Sequence, residues 1–282
     1  MPYYASLPLS ILAGLALAFM LWLLAAAPKI RPRGRSLCLV HYAHRGLFDL
    51  SRGIPENSLP AFLKAARTGV GIELDVQLSS DGVPMVFHDA ELFRACGVPG
   101  RLCEKSFSEL QSLSLFGISG VRIPTLAEVL SLVGGRVPLL IEIKGNPSPI
   151  AVAKATSALL DSYPGAYLIE SFYPLALLWF RLRRPEVPRG QLSRAFLRRA
   201  ETRRAGHLVL HFFLLNFLTR PDFIAYDLRD RGSAVIRILR ALFSLPLLGW
   251  TAKGEEGRAV RGFDALIFEG EPPKTKGPDH EN

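Results

Sequence analysis

Glu73 and Asp75 stand two residues apart in the run Ile72-Glu73-Leu74-Asp75-Val76. In an extended chain both carboxylates point to one face and the three apolar side chains to the other. Burying two unpaired anions costs several kcal/mol each unless a cation lies between them. Further on, Ile141-Glu142-Ile143-Lys144 repeats the pattern, with Glu142 and Lys144 on one face and the isoleucines on the other. Glu73, Asp75 and Glu142 together make a candidate metal site of hard oxygen ligands, which suits Mg2+ or Ca2+ better than zinc. Two of the six histidines, His44 and His88, each end a strand-like run. Imidazole titrates near neutrality, so one ring can accept a proton while the other donates one. Arg45 and Lys144 suit a phosphate and the charge that builds on it, and can equally pair with the acids. Residue chemistry alone therefore reads as metal-assisted cleavage of a phosphodiester.

The elements that must carry these residues alternate. Leu37 to Ala43 reads as a first strand that delivers His44 and Arg45 at its C-terminal end. Ser58 caps a helix running through Thr68, with Leu59, Phe62, Leu63 and Ala66 as its apolar stripe and Gly69 as its stop. Gly71–Gln77 and Val83–His88 flank a short Ser79-Ser80-Asp81-Gly82 turn, too short for a parallel crossover. The two should therefore form an antiparallel hairpin that brings His88 roughly opposite Glu73. Residues 90 to 122 look irregular, with short helical pieces such as Ser106 to Leu113. Thr125 and Glu128 make a capping box for a helix from Leu126 to Val133, ended by Gly134-Gly135. Strands are expected at Pro138–Lys144, Ala166–Ser171, Gly190–Ser193, Phe223–Asp227, Leu247–Thr251 and Ala265–Phe268. Helical stretches such as Pro149–Ser162 and Leu175–Arg184 lie between most of them. Setting aside the hairpin strand, eight strands remain, and strand–helix alternation with polar residues at strand ends points to an α/β fold, a (β/α)8 TIM-type barrel.

His44-Arg45-Gly46, Pro55-Glu56-Asn57-Ser58, Glu73-Leu74-Asp75-Val76, Ser80-Asp81-Gly82 and His88-Asp89 are short pieces that gain weight from their order. Ile123-Pro124-Thr125-Leu126, Glu142-Ile143-Lys144, Ser171-Phe172 and Trp250-Thr251 follow them. In this order and spacing, over roughly residues 40 to 270, the chain resembles the glycerophosphodiester phosphodiesterases. The resemblance implies a phospholipase C-like phosphodiesterase barrel that cleaves glycerophosphodiesters to sn-glycerol 3-phosphate and an alcohol. The attacking oxygen would be the neighbouring glycerol hydroxyl or a water. It also implies that Glu56 and Asn57 support a histidine or the metal, and that Trp250 packs against the glycerol end of a substrate. Turn and cap chemistry for the first two, and barrel core for Trp250, are the plainer roles. The last segment, Phe268-Glu269-Gly270-Glu271-Pro272, departs from the family's usual Thr-Asp-x-Pro ending: an acid survives and the threonine does not.

The ends have a different character. Leu7 to Ala27 is an apolar run with only Ser10 polar, about 31 Å long as a helix and enough to span a bilayer. The small residues Ala25-Ala26-Ala27 would suit a cleaved signal peptide. However, Met1 to Ser6 holds no Lys or Arg, and Pro28 follows directly, so the run reads as a retained anchor. Lys29, Arg31, Arg33 and Arg35 crowd its C-terminal side, which the positive-inside rule assigns to the cytoplasm. The expected location is the cell membrane, single-pass, with the catalytic part cytosolic. Three cysteines, Cys38, Cys96 and Cys103, make no paired framework and read as packing residues in a reducing compartment.

The 282 residues carry a net charge of +9, yet show no nucleic-acid-binding motif, so an anionic lipid surface fits this charge better. A second membrane contact is expected at His207 to Leu218. This Phe/Leu-rich stretch follows Arg194, Arg198, Arg199, Arg203 and Arg204, and a barrel-packing helix is its alternative. The organisation is thus an anchor and basic linker (1–36), a barrel (37–272) and a loose tail (273–282). Two other readings stand beside the glycerophosphodiesterase: a lysophospholipase D-type enzyme acting on membrane lysolipids, and a non-catalytic module binding phospholipid headgroups.

Overall fold

Strand–helix alternation closes on itself in the computed structural model, which describes residues 9–28, 32–198, 205–254 and 260–273. Lys29, Arg31, Arg199, Arg203, Arg204 and tail residues 274–282 lie outside the described residues. The strands are β1 (Tyr42–Ala43), β2 (Gly71–Leu78), β3 (Pro84–Val86), β4 (Leu139–Ile143), β5 (Tyr167–Ser171), β6 (Arg189–Ser193), β7 (Phe223–Asp227), β8 (Leu247–Lys253) and β9 (Ala265–Glu269). Eight of them pair in parallel around a ring, β1-β2-β4-β5-β6-β7-β8-β9 and back to β1. Tyr42 is in register with Gly71 on one side and Ile267 on the other, which seals the barrel. β3 lies outside the ring, antiparallel to β2 with Val76 opposite Val86. The chain is a TIM barrel with one hairpin strand added.

Local chemistry explains the boundaries. The Ser58 hydroxyl accepts a hydrogen bond from Ala61 N at 3.3 Å and starts the helix Leu59–Thr68. Gly69 stops it with φ 76°, the left-handed turn that glycine adopts without penalty. The Thr125–Glu128 capping box forms as expected and opens the helix Leu126–Val133. Helices Pro149–Leu160 and Pro174–Arg183 each begin with proline, whose missing N–H costs nothing there.

The first strand differs from expectation. Only Tyr42 and Ala43 join the ladder, and Leu37 instead ends a short helix, Pro32–Leu37. Leu37, Cys38 and Val40 pack with Tyr42, Leu140, Leu168 and Leu248, so these apolar residues fill the N-terminal end of the barrel. A short apolar run does not by itself separate a buried strand from a buried plug. β3 also stops at Val86, two residues before His88.

Two cores sandwich the strands. Outward residues such as Ile72, Leu74, Ile141 and Ile169 pack on Phe62, Val129, Val152 and Leu177 of the surrounding helices. Inward residues are apolar at the N-terminal end of the barrel and become acidic towards the C-terminal end. Along β4, Leu140 gives way to Glu142, and along β5, Leu168 gives way to Glu170. The segment 207–218 is not one helix. It divides into Ala205–His211 and Asn216–Thr219 around Phe213, a buried residue at φ 57°.

Candidate active site

β1 ends at Ala43 and releases His44 and Arg45 at the C-terminal mouth of the barrel. Arg45 and Asn57 both adopt left-handed backbone, φ 57° and φ 50°, a conformation that costs non-glycine residues energy and gathers at functional sites. The two are joined by Asn57 N donating to Arg45 O at 2.9 Å. Gly46 follows at φ 82°, where a Cβ would lie 2.9 Å from that of Ala61, so only glycine fits. This turn aims Arg45 N at Glu73 Oε2, 2.7 Å away, and its guanidinium at Glu56 Oε1, also 2.7 Å. Asn57 Nδ2 donates to Asp75 Oδ2 at 2.8 Å.

The three acids read from alternation meet. One carboxylate oxygen from each of Glu73, Asp75 and Glu142 lies within 4.8 Å of the other two, and all three residues are buried. Lys144 Nζ stands 3.0 Å from both Asp75 Oδ1 and Glu142 Oε1. A fourth acid, Glu170, is paired in register with Glu142 and is 1% exposed, with its Oε2 left without a hydrogen-bond partner. Inside the mouth, four carboxyl groups therefore face two cations, Arg45 and Lys144, and would carry two excess negative charges if all four were ionised. Burial pushes Glu73 well above the usual carboxylate range, helped by the neighbouring acids, and burial likewise raises Glu170. Glu142 is pushed up to about 7 by burial, with Lys144 opposing. Burial acts to raise Asp75 too, but the charges of Lys144, His88 and Arg45 hold it well below. The donor set fits a hard divalent cation: only oxygen, too negative for its own cations, and with one orphaned carboxylate oxygen.

Both histidines reach the same place. A cavity of about 110 Å³ is lined by His44, Glu73, His88, Glu142, Glu170 and Trp250, among others. It adjoins a cleft of about 740 Å³ that shares His44, Arg45, Trp250 and Thr251. His44 Nδ1 is 2.8 Å from Glu269 Oε1, and His88 Nδ1 is 2.6 Å from Asp89 Oδ1. Burial lowers both imidazole pKa values, against the pull of these carboxylates. Buried Gln77 ties the His88 segment to β2 by donating to Phe87 O and Asp89 O at 2.8 and 2.7 Å. Arg94 bonds Asp89 and, at 2.6 Å, Glu56, linking the His88 side of the mouth to the Arg45 side. Trp250 lies edge-on to Phe172 with ring centroids 5.7 Å apart and lines both cavities.

Residue-level reading therefore located His44, Arg45, Glu56, Asn57, Glu73, Asp75, His88, Glu142, Lys144 and Trp250 at one mouth. It missed Glu269, Glu170, Asp89 and Arg94 as members. For Glu269 the signal was present, an acid at the end of the last strand in the segment that departs from the usual ending. For Glu170 it was a lone acid inside the apolar run Tyr167–Ser171. Arg94 sits in a loop where nothing in the pattern marks it.

The comparisons with known proteins agree with this geometry. The sequence matches the Glycerophosphoryl diester phosphodiesterase family over residues 44–235. It is 34% identical over 147 residues to glycerophosphodiester phosphodiesterase 1 of Homo sapiens, covering 49% of this chain and 41% of that protein. It is 42% identical over 111 residues to a glycerophosphodiester phosphodiesterase of Caldanaerobacter subterraneus, covering 37% of this chain and 44% of that one. The chain thus spans less than half the length of these relatives. Among solved structures, a glycerophosphodiester phosphodiesterase of Thermotoga maritima superposes with TM-score 0.62 at 26% identity, covering 81% of this chain and 93% of that one. A phosphodiesterase of Oleispira antarctica, in complex with the product sn-glycerol-3-phosphate, superposes with TM-score 0.64 at 23% identity over 81% of this chain and 92% of that one. The matched region begins at His44 and takes in the acid cluster and both histidines; the chain belongs to the glycerophosphoryl diester phosphodiesterase family.

Proposed function

We propose that this chain hydrolyses glycerophosphodiesters to sn-glycerol 3-phosphate and an alcohol, with Glu73, Asp75 and Glu142 holding a divalent cation, Mg2+ or Ca2+. The carrying observation is the convergence of those carboxylates, within 4.8 Å of one another, beside a cavity that Glu73 and Glu142 line together with His44 and His88. A divalent cation held by these three carboxylates would supply positive charge to a bound phosphodiester. Arg45 and Lys144 add fixed charge where negative charge grows on phosphorus-bound oxygen. One imidazole takes the proton of the attacking oxygen, the glycerol hydroxyl or a water, and the other gives a proton to the departing alcohol. Glu269 and Asp89 each hold one ring nitrogen of their histidine, which leaves the other nitrogen for substrate. Glu56 and Asn57 support the turn that carries Arg45 and the orientation of Asp75. Trp250 offers a ring for the glycerol end.

The barrel, read as residues 37–272, is tethered through residues 1–36 to the cytoplasmic face of the cell membrane, with 273–282 as a tail. Leu9–Ala26 supports the tether, being an 18-residue helix of mean hydropathy 2.4 that is only 6% buried. Orientation rests on the basic flank after it.

A second reading, single-chain lysophospholipids, is favoured by one observation. An aromatic row leads away from the mouth: Trp250 to Phe172 at 5.7 Å, Phe172 to Phe196 at 6.5 Å and Phe196 to His207 at 5.2 Å. Turnover of glycerophosphocholine in solution measured against lysophosphatidylcholine in vesicles separates the two. Faster release from the soluble diester supports the first reading; turnover confined to the lysolipid supports the second.

A further inference from the structure

The N-terminal helix is not free along its whole length. Every residue from Leu9 to Leu21 is exposed, whereas Trp22 and Leu23 are half-buried and Ala26 is fully buried. Trp22 Nε1 donates to Phe212 O at 3.0 Å, and Asn216 Nδ2 donates to Ala26 O at 3.0 Å. Ala26 packs in a cluster with Phe213, Ile224, Tyr226, Ile236 and Leu239, the flank of the barrel beside β7. The last turn of the helix is therefore docked on the barrel.

That joint has a consequence for depth. At about 1.5 Å per residue, the 18 residues Leu9–Ala26 make about 27 Å, and the exposed part up to Leu21 makes only about 20 Å. A bilayer's hydrocarbon core is about 30 Å thick. The exposed part alone falls about 10 Å short, and the docked turn makes up most of the difference. If the whole helix is used, whatever packs against Trp22 and Ala26 must sit at the edge of the hydrocarbon. Interfacial apolar faces lie about 5–10 Å into that boundary, which matches the shortfall.

The barrel surface at the joint has the composition for it. Leu208, Phe217 and Leu218 are 46%, 43% and 37% exposed. From 205 to 221 the chain carries no Asp or Glu, and Arg220 closes the stretch. Arg181 reaches across to the carbonyls of Phe217 and Leu218. Trp22, at the joint itself, is of the residue type enriched at membrane interfaces.

We propose that the Phe212–Leu218 shoulder is a second membrane contact, inserted at the interface of an anionic bilayer beside the docked end of the anchor. The barrel is then held in one attitude to the membrane instead of swinging from a linker. This rests on reading Leu9–Ala26 as a membrane span, and the test separates the two claims. In the full chain carrying Cys96→Ser and Cys103→Ser, with Cys38 buried, one new cysteine is introduced in turn as Leu15→Cys, Phe217→Cys or Leu218→Cys. Each is labelled with nitrobenzoxadiazole in phosphatidylcholine vesicles containing phosphatidylglycerol. The expected result is that all three labels are quenched by doxyl-lipid and protected from iodide. A lipid-quenched label at 15, with iodide-quenched labels at 217 and 218, would overturn the shoulder and leave the anchor. Iodide quenching at 15 as well would overturn both. Two single-site variants at exposed side chains keep the result independent of how either one affects folding.

Discussion

Glu269 Oε1 lies 2.8 Å from His44 Nδ1, across the seam where β9 meets β1 and the barrel closes. Glu269 also pairs with Lys253 Nζ at 2.8 Å. Burial works to raise its pKa, but the bonds from His44 and Lys253 bring it down to about 2, so it is a carboxylate throughout the working range. That carboxylate favours the protonated imidazole. Glu269→Gln removes the charge, which makes imidazolium harder to form and lowers the His44 pKa further. The limb of the pH–kcat/KM profile governed by His44 should move to lower pH, whether His44 acts as base or acid. An unmoved profile in a folded variant would detach Glu269 from the histidine's chemistry.

Glu170 is the unexpected acid of the mouth. Its neutral isostere removes a carboxyl group whose ionised form burial penalises and whose Oε2 has no partner. Glu170→Gln should raise the melting temperature of the metal-free protein, by an amount equivalent to about 1 kcal/mol or more. It should also shrink the further rise on adding Mg2+ or Ca2+, because a ligand stabilises in proportion to its affinity for the native state. Differential scanning calorimetry with and without metal measures both.

His44→Ala and His88→Ala should each lower turnover by about 10²-fold or more, the usual scale for a general acid or base. With a nitrophenyl leaving group, which departs without a proton, the variant lacking the acid should recover and the other should not. Equal recovery in both, or recovery in neither, would count against the division of labour.

Ser58 separates folding from chemistry. Its hydroxyl caps the helix Leu59–Thr68, next in sequence to Asn57 yet without contact to the acids. Ser58→Ala should cost about 1 kcal/mol in urea unfolding with KM unchanged. A changed KM at unchanged stability would make the cap part of the site.

Glu73, Asp75 and Glu142 were legible because strand alternation fixes the face of each side chain, and parallel register then sets Asp75 beside Glu142. The barrel was legible for the same reason, since strands such as β2 and β4 are apolar along their outward face. The Leu37–Val40 plug was not, because its apolar residues fill the barrel end without pairing. Glu269 and Arg94 escaped because their partners, His44 and Glu56, come from other segments brought close only by barrel closure and by the loop. The docked turn of the N-terminal helix was hidden as well: Trp22 and Ala26 look like any other part of an apolar run until the barrel flank covers them.

The most direct measurement of the central claim is a metal titration. The full chain, stripped with chelator, is incubated with glycerophosphocholine while Mg2+ or Ca2+ is added, and sn-glycerol 3-phosphate is followed by phosphorus NMR. The prediction is saturable, metal-dependent release of that product, lost in Glu142→Gln although this variant melts cooperatively. Release that persists undiminished in chelator, or no release with either metal at any pH, would contradict the account.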